Sequence, residues 1–232
     1  MQRSKFSFLV LATLMIVLVY SNVALAGVHT YARSFQNNHA YRRIKGGFKI
    51  PSIDAKWANN NSSFITFEMW ITVNAAPDWF EMGYMDGALD PENDGTQIDH
   101  RGMFKAKRIN GAYVEWQINK TVNVGERHAF EIADANNDNI WDILINSTSY
   151  GTFSNQVPPV DADKNYMGYE HNPVSGVTPV FGATDINSQY YRSQGQWRAW
   201  NNGLIYVGVE DTNPYIVATW NPNGNSTTLA LQ

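Results

Sequence analysis

An all-β fold, a sandwich or a barrel, is what this 232-residue sequence predicts. Three observations carry that expectation. Short apolar and aromatic runs alternate with turn clusters along the chain. No long stretch has the 3.6-residue period of an amphipathic helix. Several runs alternate residue by residue between apolar and polar, the pattern of a strand with one buried face.

The elements follow in order. Residues 1–26 read as a secretory signal peptide: Arg3 and Lys5 give a positive start, Phe6 to about Tyr20 is apolar, and Ala24-Leu25-Ala26 supplies the cleavage signal. Residues 27–232 are then one domain, large enough for a real core. Its strands are expected at Arg43–Ile50, Ser63–Val73, Trp79–Tyr84, Met103–Arg108, Ala112–Asn119, His128–Ala133, Trp141–Ile145 and Tyr150–Phe153. The remainder are expected at Asn165–Glu170, Val180–Ile186, Arg198–Trp200, Ile205–Val209, Tyr215–Trp220 and Ser226–Leu231. Asx, Gly and Pro clusters separate them, and Asn110-Gly111 between two runs is a hairpin signal. The less regular part after about Tyr190 is expected to close the same domain, because no linker composition precedes it.

Composition excludes several classes. There is no cysteine, so neither a disulfide scaffold nor a thiolate site is available. A net charge of −4 leaves no basic footprint for nucleic acid. No later stretch is apolar enough to span a membrane. A monomeric protein without a cofactor, secreted or held in the cell envelope, is the expectation.

Alternation assigns faces. In "SFITFEMWITV" the set Ile65, Phe67, Met69, Ile71, Val73 is wholly apolar and faces the core. Glu68 and Trp70 lie on the other face with Phe64, Thr66 and Thr72. In "YVEWQI" Tyr113, Glu115 and Gln117 share a face. In "WFEMGY" Trp79, Glu81 and Gly83 oppose Phe80, Met82 and Tyr84. Three strands thus each carry an acid beside an aromatic on a non-core face. On one concave sheet they would line a groove for an extended peptide or glycan.

Other chemistry is not signalled. The sequence has no Gly-x-Ser-x-Gly elbow, and its five His stand without zinc-ligand spacing. "DANNDNIWD" (Asp134 to Asp142) alternates oxygen ligands like a calcium loop, but lacks the glycine and terminal acid, and Asx-rich hairpin turns look the same. No metal ligand is assigned. Paired carboxylates remain, drawn from Glu68, Glu81, Glu115, Glu131 and Glu170. Two carboxyls can cleave a glycoside or, with a shared proton, activate water against an amide.

Read in order, several segments resemble the eqolisin, or glutamic peptidase, family. They are "IKGGFKIPS", "FEMWITVN", "WFEMGY", "YVEWQI", "VNVGERHAFEI", "WDILINSTSYGTFS", "NYMGYEHNP" and "TPVFGATDI", running from Ile44 to Ile186. The resemblance implies an antiparallel β-sandwich, a concanavalin-like jelly roll with a concave groove. It also implies catalytic roles for Glu81 and Glu170. Glu170 falls on the family's general-base Glu. Glu81 falls where the family has a Gln whose amide holds the oxyanion, and a carboxyl can donate there only when protonated. Neprosin-type peptidases, with two glutamates, resemble this arrangement more closely. Glu68, Trp70, Tyr84 and Glu115 are the expected substrate-binding residues. The expected function is an acid-pH endopeptidase. The alternatives are a non-catalytic glycan-binding module and, further off, a jelly-roll glycosidase.

Overall fold

A computed structural model describes residues 30–36, 42–57, 62–74, 78–154, 156, 165–172, 179–193, 195–200, 205–209, 216–221, 223 and 225–231. The expected signal peptide lies outside them. Among the described residues there is no helix, and so none long and apolar enough to cross a membrane.

Two antiparallel sheets make the sandwich. The first has seven strands in the order β15 (Ile205–Val209), β1 (Thr30–Gln36), β11 (Asn165–Asn172), β4 (Phe64–Thr72), β5 (Trp79–Leu89), β6 (Ile98–Ile109) and β7 (Ala112–Ile118). The second runs β10 (Thr148–Ser154), β9 (Ile140–Ile145), β8 (Arg127–Ala133), β2 (Arg43–Lys49), β13 (Thr184–Ser193), β17 (Ser226–Leu231) and β16 (Ile216–Asn221), with β14 (Gln196–Ala199) also on β13. A small pair, β3 (Ile53–Asp54) with β12 (Val180–Phe181), sits apart. The expected all-β, antiparallel sandwich is the observed class.

Period-2 alternation builds the core. Ile65, Phe67, Met69 and Ile71 of β4 are fully buried, as are Phe80 and Met82 of β5. They pack in one cluster with Ile44 and Phe48 of β2, Phe130 and Ile132 of β8, and Trp141, Ile143 and Ile145 of β9. Phe48 joins the layers: it stacks on Phe130 at 4.6 Å and meets Phe67 edge-on at 5.0 Å. The β6–β7 hairpin turns on Asn110 and Gly111, both at positive φ, as the Asn-Gly signal requires.

The strands differ from expectation in three places. β5 and β6 run several residues further, because the turn-like "MDGALD" and the polar "IDHRG" pair with each other from Met85↔Gly102 to Leu89↔Ile98. The expected Val180–Ile186 strand is two elements, β12 and β13. β1 and β3 were not anticipated.

One glycine is fixed by packing against the site described below. A Cβ on Gly83 would come 2.5 Å from the Phe67 carbonyl oxygen and 2.8 Å from Glu68 Cβ. The first contact is with backbone, which cannot turn aside. Gly83→Ala is therefore expected to lower unfolding stability by about 1–3 kcal/mol, read from the urea midpoint. An unchanged midpoint would show that the strands do not approach this closely.

Candidate active site

The outward face of the first sheet holds the chemistry. Along β4 it presents Phe64, Thr66, Glu68, Trp70 and Thr72. Along the antiparallel β5 it presents Trp79, Glu81, Gly83 and Met85. Along β11 it presents Glu170 and Asn172. Register ties them together: Trp70 pairs with Glu81, Glu68 with Gly83, Gly168 with Glu68, and Glu170 with Thr66. Glu68 therefore has a glycine on each side in its own row. Its diagonal neighbours are Glu81 on one strand and Glu170 on the other, and diagonals lie within reach of long side chains.

A cleft of about 630 Å³ opens over this face. Glu81 and Glu170 both line it, with Thr66, Trp70, Trp79 and Glu115. The two expected catalytic glutamates thus meet on one cleft. Glu68, expected to bind substrate, is not among the residues that line it. All three carboxyls are buried: 4% of Glu68 and of Glu81 is exposed, and 7% of Glu170.

Two tryptophans hold two of the acids. Trp70 Nε1 donates to Glu68 Oε1 at 2.5 Å, and Trp79 Nε1 donates to Glu81 Oε2 at 3.2 Å. Both bonds span two residues along one strand face, Glu-Met-Trp on β4 and Trp-Phe-Glu on β5. The indoles stack on each other at 5.0 Å and 5°. Tyr166 meets Trp70 edge-on at 5.2 Å, and the Arg108 guanidinium lies 5.0 Å from the centre of the Trp79 ring. One end of the cleft is thus aromatic and cationic. The other is largely apolar, where Phe64, Met85 and Ala88 line it beside Ser62 and Asn172, over a small cluster of Met85, Leu89, Phe104 and Ala106.

Burial sets the electrostatics. Loss of water pushes the Glu81 carboxyl from its ordinary 4.5 up to about 8, and the Glu170 charge is the next largest cause. Glu68 is pushed well above the ordinary range, first by burial, then by repulsion from Glu81 and Glu170. Glu115 is raised more by burial than its hydrogen bonds lower it.

The remaining expected residues are distributed as follows. Glu115 lines the cleft, but its oxygens are engaged: Oε1 accepts from the Asp90 amide at 2.6 Å and Oε2 from the Tyr113 hydroxyl at 3.2 Å. It pins the end of β5 to β7. Tyr84 is a correction. It belongs to the buried core cluster and borders a separate depression with His100 and Arg101, not the cleft. Its even position on β5 aligns it with Phe80 and Met82, so the alternation itself excluded it from the groove. Glu131 lies on the second sheet, ion-paired with Arg43 at 2.5 Å. The Asp134 loop is closed by its own carboxylates: Asp134 accepts from the amides of Asp138 at 3.1 Å and Asn139 at 3.2 Å and is ion-paired with Arg42, and Asp138 makes an Asx turn to the Ile140 amide at 3.1 Å. Among the described residues no group of three His, Asp or Glu side chains is arranged to hold a metal ion. Sequence reasoning missed Arg108 and Asn172. Asn172 was accessible to it, as the second residue after Glu170 on the same face, whereas Arg108 depends on the register of β5 against the extended β6.

The class defined by this fold and site is an antiparallel sandwich with an acidic cleft on one sheet. Among solved structures, scytalido-glutamic peptidase, crystallised with a peptide-based transition-state analog, matches it at TM-score 0.53 and 9% identity, over 88% of this chain and 99% of that one. The same peptidase with a transition-state analog inhibitor matches at 0.52, with the same identity and coverage. A beta-glucanase of Bacillus licheniformis overlaps more loosely, at TM-score 0.35 and 13% identity over 84% and 68% of the two chains. No protein-family profile and no curated sequence matches the chain. The fold is thus eqolisin-like, as the resemblance implied.

The raised Glu81 carboxyl links stability to pH. Its folded pKa, about 8, exceeds its ordinary 4.5, so the folded state binds the proton more tightly. The stabilisation it contributes is complete below about pH 4.5 and is lost as pH rises through about 8. The melting temperature should fall across that window in the wild type and fall less in Glu81→Gln. Parallel curves would mean that Glu81 is not protonated in the fold.

Proposed function

We propose that this protein is an exported acid-pH peptidase in which Glu170 activates water and protonated Glu81 stabilises the oxyanion. The observation that carries the reading is that two buried carboxyls, Glu170 and Glu81, line one cleft, where burial pushes the Glu81 carboxyl up to about 8. A Glu in place of the family's Gln needs a proton in order to donate, and burial supplies the means of keeping it.

The steps follow from these groups. Glu170 takes a proton from water as the oxygen attacks the scissile carbonyl. The Glu81 O–H donates to the carbonyl oxygen as negative charge develops there. Glu170 then returns its proton to the leaving amine as the C–N bond breaks. The substrate backbone lies along β4 and β5, between the indole end and the apolar end of the cleft.

The test is cleavage of an acid-denatured protein from about pH 2 to 8. Glu170→Gln should lose roughly 10²–10⁴-fold in kcat, as loss of a general base does. Glu81→Gln should stay active, because an amide donates without a proton, and its activity should persist further above pH 7 than that of the wild type. Failure of the wild type to cleave at any pH, or equal cleavage by Glu170→Gln, would overturn the reading. Glycan binding without hydrolysis would favour the binding-module alternative. Inactivity of Glu81→Gln at every pH would mean that Glu81 must itself give up its proton.

A further inference from the structure

Glu68 is not explained by substrate binding, since it is buried and does not line the cleft. Its Oε1 accepts from the Trp70 indole, but its Oε2 is buried without a partner among the fixed donors. An ionised carboxylate with a bare buried oxygen would carry a large desolvation cost. The cost disappears if that oxygen carries a proton and a second carboxyl accepts it. Glu81 is placed to be that acceptor: it is the diagonal neighbour of Glu68 across β4 and β5, within reach of a long side chain, and both carboxyls are buried.

We propose that Glu68 is a positioning residue whose buried O–H donates to Glu81 and leaves the Glu81 O–H pointing into the cleft. The inference deepens the peptidase reading and rests on it for its catalytic part. The geometry is specific. Glu81 accepts from Trp79 Nε1 on one side and from Glu68 on the other. The direction left for its own proton is the cleft that it lines. The chain of donors runs from Trp70 to Glu68, from Glu68 to Glu81, and from Glu81 to whatever carbonyl oxygen occupies the cleft. Gly83 and Gly168, the row partners of Glu68, leave its carboxyl room to lean toward Glu81.

The charged and titratable groups facing this pair can be named element by element. β5 contributes Glu81 itself, β11 contributes Glu170, and β7 contributes Glu115 and Tyr113, which act on Glu81 from further off. β6 contributes Arg108, held over the Trp79 ring. Burial is the largest influence favouring protons on Glu68 and Glu81, and the neighbouring Glu170 adds to it.

Two variants separate the role from a structural one. Glu68→Gln keeps the shape, accepts from Trp70 through its oxygen and donates to Glu81 through its amide. Glu68→Ala removes both bonds. On an acid-denatured protein substrate, Glu68→Ala should lower kcat about tenfold or more with KM little changed, and Glu68→Gln should restore most of it. Carboxyl ¹³C NMR of Glu-labelled protein gives a readout independent of activity. At about pH 6 the wild type should show two glutamate carboxyls still protonated, and Glu68→Gln should show one, that of Glu81. A single protonated carboxyl in the wild type, or Glu68→Gln as inactive as Glu68→Ala, would overturn the inference. Two protonated carboxyls in a protein that cleaves nothing would uphold the hydrogen-bonded pair and overturn the peptidase reading alone.

Discussion

Burial of Glu68 and Glu81 side by side is the constraint on which the rest of the site depends. Two carboxylates in a water-poor setting beside a third cannot all be ionised at moderate cost. The sheet meets this in two ways. It gives each of the two an indole donor, Trp70 or Trp79, from two residues along its own strand. It also favours the protonated form, which converts an acceptor-only group into a donor. The stacked indoles are then supports for the acids and also the wall of one end of the cleft.

The glycines complete the arrangement. Gly83 and Gly168 flank Glu68 in register, and Gly83 has no room for a Cβ. A side chain there would displace Glu68 or push apart β4 and β5. On this face the row of Glu68 thus holds a single carboxyl between two glycines. That row is the floor under the acids. The cleft's two ends differ in character, aromatic and cationic against largely apolar, so an extended chain lying along the strands meets different surroundings on either side of Glu81 and Glu170.

Much of this was legible in the sequence, through one signal. Strict alternation in "SFITFEMWITV" and "WFEMGY" placed every core residue of β4 and the chemistry-bearing face of both strands. The same rule would have excluded Tyr84 from the groove, since it shares parity with Phe80 and Met82. Turn chemistry placed the Asn110-Gly111 hairpin. β1 has no apolar alternation in "TYARSFQ", and β3 is two residues long, so neither carries a strand signal of its own. β5 and β6 extend through Gly- and Asp-bearing residues because pairing with each other outweighs local propensity. The role of Glu68 could not be read at all. It depends on β11, some hundred residues later, coming to lie beside β4, and on β5 lying on the other side. Only that strand order sets Glu81 and Glu170 on the two diagonals of one residue.

The central claim is that this cleft keeps protons on carboxyls where water would remove them. Neutron diffraction from deuterium-exchanged crystals at about pH 6 tests it most directly. The expected result is a deuteron on Glu68 Oε2 directed at Glu81 and a second on Glu81 directed into the cleft. Nuclear density with neither deuteron, both carboxylates ionised, would contradict the account.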